Sequence, residues 1–342
     1  MLNVKQSMSL KKLFVAIFMM FSLLTPAQET DSVRYPTFKV DGTMKNKFEY
    51  ASETGSSRFS VRNSRMGVRG YLTPFFSYRG QIELSDNGNF KVLDLYGSFE
   101  PVRGLSLSLG QTSIPIFNSY VVSPANLMFA NRAFIGKYFI STRDIGFLAD
   151  YNFKIDAVPA SIEFGAYNGN TINDPVWREK LSYGGRLELG SMKGLRSTFK
   201  FYDYLNTPTV HYFFYGADLR YEGANWKVET EFMKRDNKEV DEDQMFSYYL
   251  QGAYAVPLKE TYFFKNIVPA VRWDAIDKHM NEKGFDVDRL TVGLGFGLTK
   301  KYFSSILRFD YEWYFINQEL DILNLYEEMD SDKFTVELLL TF

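Results

Sequence analysis

Hydrophobic and polar positions alternate along most of this chain, and the alternation is cleanest at its end. The last ten residues read KFTVELLLTF. Phe334, Val336, Leu338, Leu340 and Phe342 fall on one side of an extended strand, with Thr335, Glu337, Leu339 and Thr341 on the other. Side chains alternate faces along a strand, so one face is apolar and the other mixed. A soluble sheet hides such a face against a second layer. A transmembrane barrel turns it to lipid and pairs its last strand with its first.

The same alternation recurs in segments of roughly 10 residues back to Phe38. Near the start, Phe38, Val40, Gly42, Met44 and Phe48 oppose Lys39, Asp41, Lys45, Lys47 and Glu49. Tyr78, Gly80, Ile82 and Leu84 oppose Arg79, Gln81 and Glu83; Leu93 and Leu95 flank Asp94. Beyond residue 145 the polar faces carry Glu163, Arg186, Glu188, Lys200, Asp218, Arg220, Lys227, Glu229, Glu231, Arg272, Asp274, Arg308, Asp310 and Glu312. Gly293, Gly295 and Gly297 alternate within one segment and read as small interior-facing residues or bend points, not as a phosphate loop, since no helix follows.

Counting gives about 16 strands, an even number as bacterial barrels require. The connections agree. Thr73-Pro74, Pro101 to Gly104, Gly190 to Gly194, Gly223-Ala224 and Lys300-Lys301 are short, and every second connection is expected to be so. Between them lie longer ones: Asn168 to Glu179, Asp236 to Gln244, Asp277 to Asp286 and Asn317 to Ser331. The fold class expected is therefore all-β, a transmembrane antiparallel barrel over residues 37–342.

One connection stands apart. Ser113 to Thr142 lies between the fifth and sixth strands and carries Phe117, Tyr120, Leu127, Met128, Phe129, Phe134, Tyr138 and Phe139. A long apolar loop needs a surface to pack on, and the barrel interior supplies one. Folded inward, this long third external loop narrows the pore. Its constriction candidates are Tyr120, Asn131, Arg132 and Lys137. The pore-lining candidates on the strands are Arg69, Arg79, Glu83, Asp94, Arg186, Arg220, Arg272 and Arg308.

Composition sharpens this. The 342 residues include no Cys, which removes disulfides, thiolate metal sites and N-terminal lipidation. Tyr and Phe number 23 and 32 against 4 Trp, an excess that aromatic girdles at two membrane interfaces explain. A mean hydropathy of −0.23 excludes a helical membrane protein. No later stretch holds 18 consecutive apolar residues. The first 27 residues differ in kind: Lys5, Lys11 and Lys12 precede an apolar run, Leu13 to Leu24, and small residues at Thr25-Pro26-Ala27. This is the design of a secretory signal peptide cut after Ala27, followed by a short periplasmic segment over 28–36. Its removal moves the formal charge from −2 to about −5.

Catalysis is not expected. His211 and His279 are the only histidines, with no triad or zinc spacing around them. The acidic loops Arg235 to Gln244 and Glu327 to Asp332 read as solvated rather than as Ca2+ sites. No cofactor, metal or nucleic-acid partner is expected.

Several ordered runs resemble a known family. They are Ser64 to Leu84, Lys91 to Pro101, Leu105 to Phe117, Arg132-Ala133-Phe134, Arg143 to Gly146 (RDIG) and Phe164 to Asn170 (FGAYNGN). Together they resemble the phosphate-selective porin O and P family of the bacterial outer membrane, in a Bacteroidetes-like version. The resemblance implies a 16-stranded barrel, an inward-folded third loop, a homotrimer and passive diffusion of anions. It also implies outer-membrane lipid and lipopolysaccharide as surroundings. The mixed signs on the polar faces depart from the family's rows of cations, because rings of one sign are what select ions. The function expected is passive diffusion of small hydrophilic solutes, with anions such as phosphate as candidates. The alternative is a structural or adhesive barrel with a blocked lumen.

Overall fold

The computed structural model describes residues 34–342, except 62, 85–87, 118–123, 125–126, 192, 208–209, 242, 260–262, 281–283 and 321–330. The proposed signal peptide and Tyr120 lie outside the described residues. So does most of the 28–36 segment.

The chain from Phe38 onward is a closed antiparallel barrel of 16 strands. They are β1 (Lys39–Ala51), β2 in two pieces (Ser56–Ser60 and Ser64–Thr73), β3 (Phe76–Leu84), β4 (Phe90–Val102) and β5 (Leu105–Ser113). A single helical turn, α1 (Ile135–Tyr138), precedes β6 (Arg143–Ile155), β7 (Val158–Tyr167), β8 (Ser182–Gly190), β9 (Gly194–Thr207) and β10 (Val210–Glu222). Then come β11 (Trp226–Asn237), β12 in two pieces (Gln244–Tyr254 and Val256–Pro257), β13 (Asn266–Asp277), β14 (Val287–Gly297), β15 (Ile306–Ile316) and β16 (Lys333–Thr341). Each strand pairs with its sequence neighbours, and β1 closes the ring on β16, with Lys45 opposite Leu339 and Ala51 opposite Lys333. Closure satisfies every strand edge, which is what a sheet needs where water is absent.

The alternation read from the sequence sets the two faces. On β16, Lys333, Thr335, Glu337 and Leu339 are buried inside while Phe334, Val336, Leu338 and Leu340 face outward. Outward positions elsewhere are apolar and largely exposed, among them Met44, Leu95, Leu109, Phe164, Phe199, Leu250 and Val292. Aromatic pairs ring this outer face near both ends. Phe76–Phe99 and Trp226–Tyr254 lie towards one end, Phe201–Phe213 and Trp273–Phe315 towards the other.

Connections at one end are mostly tight. The turn at 103–104 uses Gly104 with φ +91°, where a Cβ would sit 2.5 Å from the Asn152 carbonyl, so only glycine fits. The expected parity of loop lengths holds only in part. At the tight-turn end, 258–265 and 298–305 are longer than expected. At the other end the connections from Ala51 to Ser56, Leu84 to Phe90 and Thr207 to Val210 are short. In the first case β12 breaks after Tyr254 and stops early, and in the second Ser304 and Ser305 fold back to hydrogen-bond Thr341.

The seam between first and last strands has its own packing. Gly42 and Phe342 exchange backbone hydrogen bonds of 3.0 and 3.1 Å. A Cβ on Gly42 would run into the Phe342 ring and lie 2.9 Å from the Arg65 carbonyl oxygen. Gly42→Leu therefore overpacks the seam, at a cost of about 1–3 kcal/mol. The expected result is a lower temperature for loss of the compact, heat-modifiable band on a denaturing gel, with wild-type mobility below that temperature.

Candidate functional site: the loop in the lumen

The connection from β5 to β6 folds into the barrel. Of its described residues, 114–117, 124 and 127–142, the stretch 127–142 lies against the inner wall of β9–β16 and reaches β1. Two kinds of contact hold it there.

The first is apolar. Ile114, Ile116, Phe117, Phe134, Ile135, Tyr138 and Phe139 form one core with wall residues Tyr167, Tyr202, Tyr204, Phe214, Met233, Met245, Tyr249, Ile276 and Val287. These wall residues point inward, where the alternation predicts polar groups. Their sequence signal is a local failure of alternation, as in Phe213-Phe214-Tyr215, where both faces are aromatic. A second, smaller core joins Met128 and Phe129 to Ala253, Ala255, Val268, Ile306 and Leu339. Burial beneath the loop, with Tyr314 alongside, pushes the Tyr138 hydroxyl well above the ordinary tyrosine range, so it stays neutral.

The second is a belt of buried charges that bind the loop's backbone. Arg308 Nη1 donates to Leu127 O at 2.7 Å, Lys45 Nζ to Ala130 O at 2.7 Å, Arg272 Nη1 to Asn131 O at 2.8 Å and Arg289 Nη2 to Arg132 O at 2.8 Å. In the other direction, Ala130 N donates to Asp310 at 2.7 Å and Phe134 N to Asp274 at 3.0 Å. The Asn131 side chain accepts from Lys47 and donates to Glu312. Acids and bases of the belt pair with one another: Arg289–Asp274 at 2.6 Å, Arg289–Glu312 at 3.1 Å, Arg308–Glu337 at 2.6 Å and Lys45–Glu337 at 3.1 Å. The last pair crosses the seam from β1 to β16. Such ions leave water only when pairing and hydrogen bonding offset their desolvation, and here both are supplied.

The strand candidates divide into three groups. Arg272 and Arg308 face inward but are 1% and 2% exposed beneath the loop, so they anchor it and do not line open space. Arg220, 2% exposed, pairs with Glu222 at 3.0 Å low on the β10 wall. Arg186 pairs with Glu163 at 2.5 Å. Arg69, Arg79 and Asp94 line a cavity of about 660 Å3 on the opposite side, with Lys39, Asp41, Arg65, Gln81, Arg143, Lys301, Ser304 and Thr341. Glu83 adjoins it, bound to Arg65 at 2.6 Å. Arg79 grips Asp41 with two bonds of 2.6 and 2.9 Å, and Arg143 holds Asp94 at 3.1 Å. Six cations and two carboxylates line this space.

Of the loop candidates, Asn131 is buried in the belt. Arg132 reaches the Asn63 side chain at the break in β2, at 3.4 Å, and Lys137 lies 5.3 Å from the Tyr138 ring centre. Residues 114–142 contain no Asp or Glu, and their charged side chains are Arg132 and Lys137.

A further site went unread in the sequence. Asp144 accepts backbone N–H groups from Gly169 (2.7 Å), Asn170 and Thr171 (3.1 Å) and from Ile145 (2.8 Å). The RDIG and FGAYNGN runs meet there, and the carboxylate fixes the start of the 168–181 loop. The histidines sit apart, His211 with Asp203 at 2.8 Å and His279 with Asp286 at 3.1 Å.

No family model and no curated protein sequence matches the chain. Solved structures do match in shape. OmpF of Salmonella typhi, in complex with daunomycin, superposes with a TM-score of 0.62 at 12% identity, over 89% of this chain and 97% of that one. An anion-selective porin from Comamonas acidovorans gives 0.61 at 13%, over 90% and 99%. The outer-membrane channel DcaP of Acinetobacter baumannii gives 0.60 at 9%, over 89% and 97%. The fold is that of the outer-membrane porins. Within this porin fold, the inward loop and the wall beneath it are the elements that shape the interior.

Arg289 is the belt residue with most to lose. It joins Asp274, Glu312 and Arg132 O and stacks on Phe134 at 4.3 Å. Arg289→Ala leaves two buried carboxylates short of a partner, a change that costs about 3–5 kcal/mol. The expected readout is trypsin cleavage after Arg132 or Lys137 in the variant barrel under conditions where the wild-type loop is resistant.

Proposed function

We propose that this chain is an outer-membrane diffusion channel for small hydrophilic solutes that favours anions. It acts without bond-making. A solute enters at the long-loop end, passes between the inward loop and the β1–β6 wall, and leaves at the tight-turn end. The observation that carries the reading is the sign of that passage. With Arg79 paired to Asp41, Arg143 to Asp94 and Arg65 to Glu83, its cavity keeps Lys39, Arg69 and Lys301 as a surplus of positive charge, and the inward loop carries basic charges only. A low-dielectric wall with one dominant sign concentrates counter-ions and raises their rate of entry.

The mixed charges noted in the sequence support this once they are sorted by place. Carboxylates Asp274, Asp310, Glu312 and Glu337 belong to the belt, bound to cations and loop amides. They cannot present their charge to a passing solute. The proposal includes a signal peptide, an outer-membrane location amid lipid and lipopolysaccharide, and a homotrimer. It also includes kinship with the phosphate-selective porin O and P family, supported by the meeting of its RDIG and FGAYNGN runs at Asp144.

One observation favours the second reading, a structural barrel with a blocked lumen. The interior core of loop and wall aromatics fills much of the β9–β14 side. Planar-bilayer recording separates the two. A channel gives discrete current steps and, across a salt gradient, a reversal potential favouring chloride. Arg69→Glu with Lys301→Glu, both at the tight-turn end of the cavity, should lower the anion-to-cation permeability ratio several-fold, roughly as the focusing argument requires. Absence of current from folded protein would select the blocked barrel.

A further inference from the structure

Beneath the loop the inner wall is charged where it binds the loop's backbone and apolar in two places: the large aromatic core and a second, smaller dish. Ala253, Ala255, Val268, Ile306 and Leu339 surround it, and Met128 and Phe129 fill it. Its floor includes Gly293, directly across the β14–β15 ladder from Asp310 and across the β13–β14 ladder from Ala270. A Cβ built on Gly293 would lie 2.5 Å from Asp310 Oδ1 and 3.1 Å from Phe129 Cε1. Those two groups join Lys45 and Arg272 in holding the loop at this height. Asp310 takes the Ala130 amide at 2.7 Å, and the Phe129 ring lies under the Arg272 guanidinium at 4.8 Å. Phe129 is 1% exposed, so its ring has no room to retreat from a larger floor.

We infer that Gly293 is the positioning residue of the channel: the missing side chain on the wall sets how far the loop stands into the lumen, and so the size of the passage. The inference rests on the channel reading above. The loop's backbone bonds to the belt fix its path along the wall. The depth of the dish fixes its distance from the wall. A side chain at 293 displaces Phe129 and Asp310 together, because both touch the same point. The loop then moves towards the β1–β6 wall, into the passage. The alternating glycines thus have a purpose beyond bending the sheet. Gly295 plays a lesser part, since its Cβ would meet the Ile306 side chain at 2.5 Å and not the loop.

The test is single-channel recording on the full-length protein with Gly293→Val, Phe129→Trp, and the double variant Gly293→Val/Phe129→Ala. Heat-modifiable gel mobility first establishes that each barrel is folded. The two single variants enlarge the same contact from opposite sides. Each should lower unit conductance by about twofold or more and shift the solute exclusion limit downward. The double variant restores the volume and should return conductance towards the wild-type value. Phe129→Trp leaves the wall untouched, so it answers the question even if Gly293→Val does not fold. A purely structural role would alter folded yield and leave the unit conductance of folded channels unchanged. Wild-type conductance in both folded single variants, or no recovery in the double, would overturn the inference while leaving the channel reading intact. A wild-type protein that carries no current removes the channel reading and this inference with it.

Discussion

Everything inside this barrel depends on the pairing of buried side-chain charges with the backbone of one loop. Arg308, Lys45, Arg272 and Arg289 each donate to a loop carbonyl, and Asp310 and Asp274 each accept a loop amide. A backbone segment at mid-lumen has no helix or sheet ladder to satisfy its polar groups, so the wall must do so. The charges in turn have no water, so the loop and their own ion pairs must satisfy them. Neither partner is tolerable without the other. The arrangement also bridges the seam, because Lys45 on β1 pairs with Glu337 on β16 while holding Ala130.

That mutual burial makes the lumen asymmetric. The β9–β16 side is covered and its charges are spent on structure. The β1–β6 side stays open and keeps a surplus of cations at its cavity. On the channel reading proposed above, a near-neutral chain presents a basic passage. Net composition says little about selectivity once the partners are known, and the place of each carboxylate says much.

The barrel was legible in the sequence because strand alternation is a strictly local signal. Leu338 and Glu337 fall on opposite faces whatever the rest of the chain does, and the strand order followed from sixteen such segments. The inward path of the third loop was legible from its apolar content. What sequence alone could not separate was the three fates of inward charges. Arg308 and Arg79 occupy equivalent alternating positions. One ties down the loop and the other faces the cavity, and only the tertiary path of residues 127–134 tells them apart. Likewise Tyr202, Phe214 and Ile276 break the polar-inside pattern in short runs whose role lies in the loop that covers them. Asp144 was invisible for the same reason. Its partners, the amides of Gly169, Asn170 and Thr171, carry no side-chain signature.

The most direct test of this asymmetry uses the absence of native Cys. Single cysteines would replace Arg69 and Gln81 on the open wall, and Thr291 and Thr335 on the covered wall, where both threonines are fully buried. A charged, membrane-impermeant thiol reagent is then added during bilayer recording. The account predicts rapid modification and a fall in current at 69 and 81, with neither modification nor current change at 291 and 335. Equal reactivity on both walls, or blockade from the 291 and 335 positions alone, would contradict it.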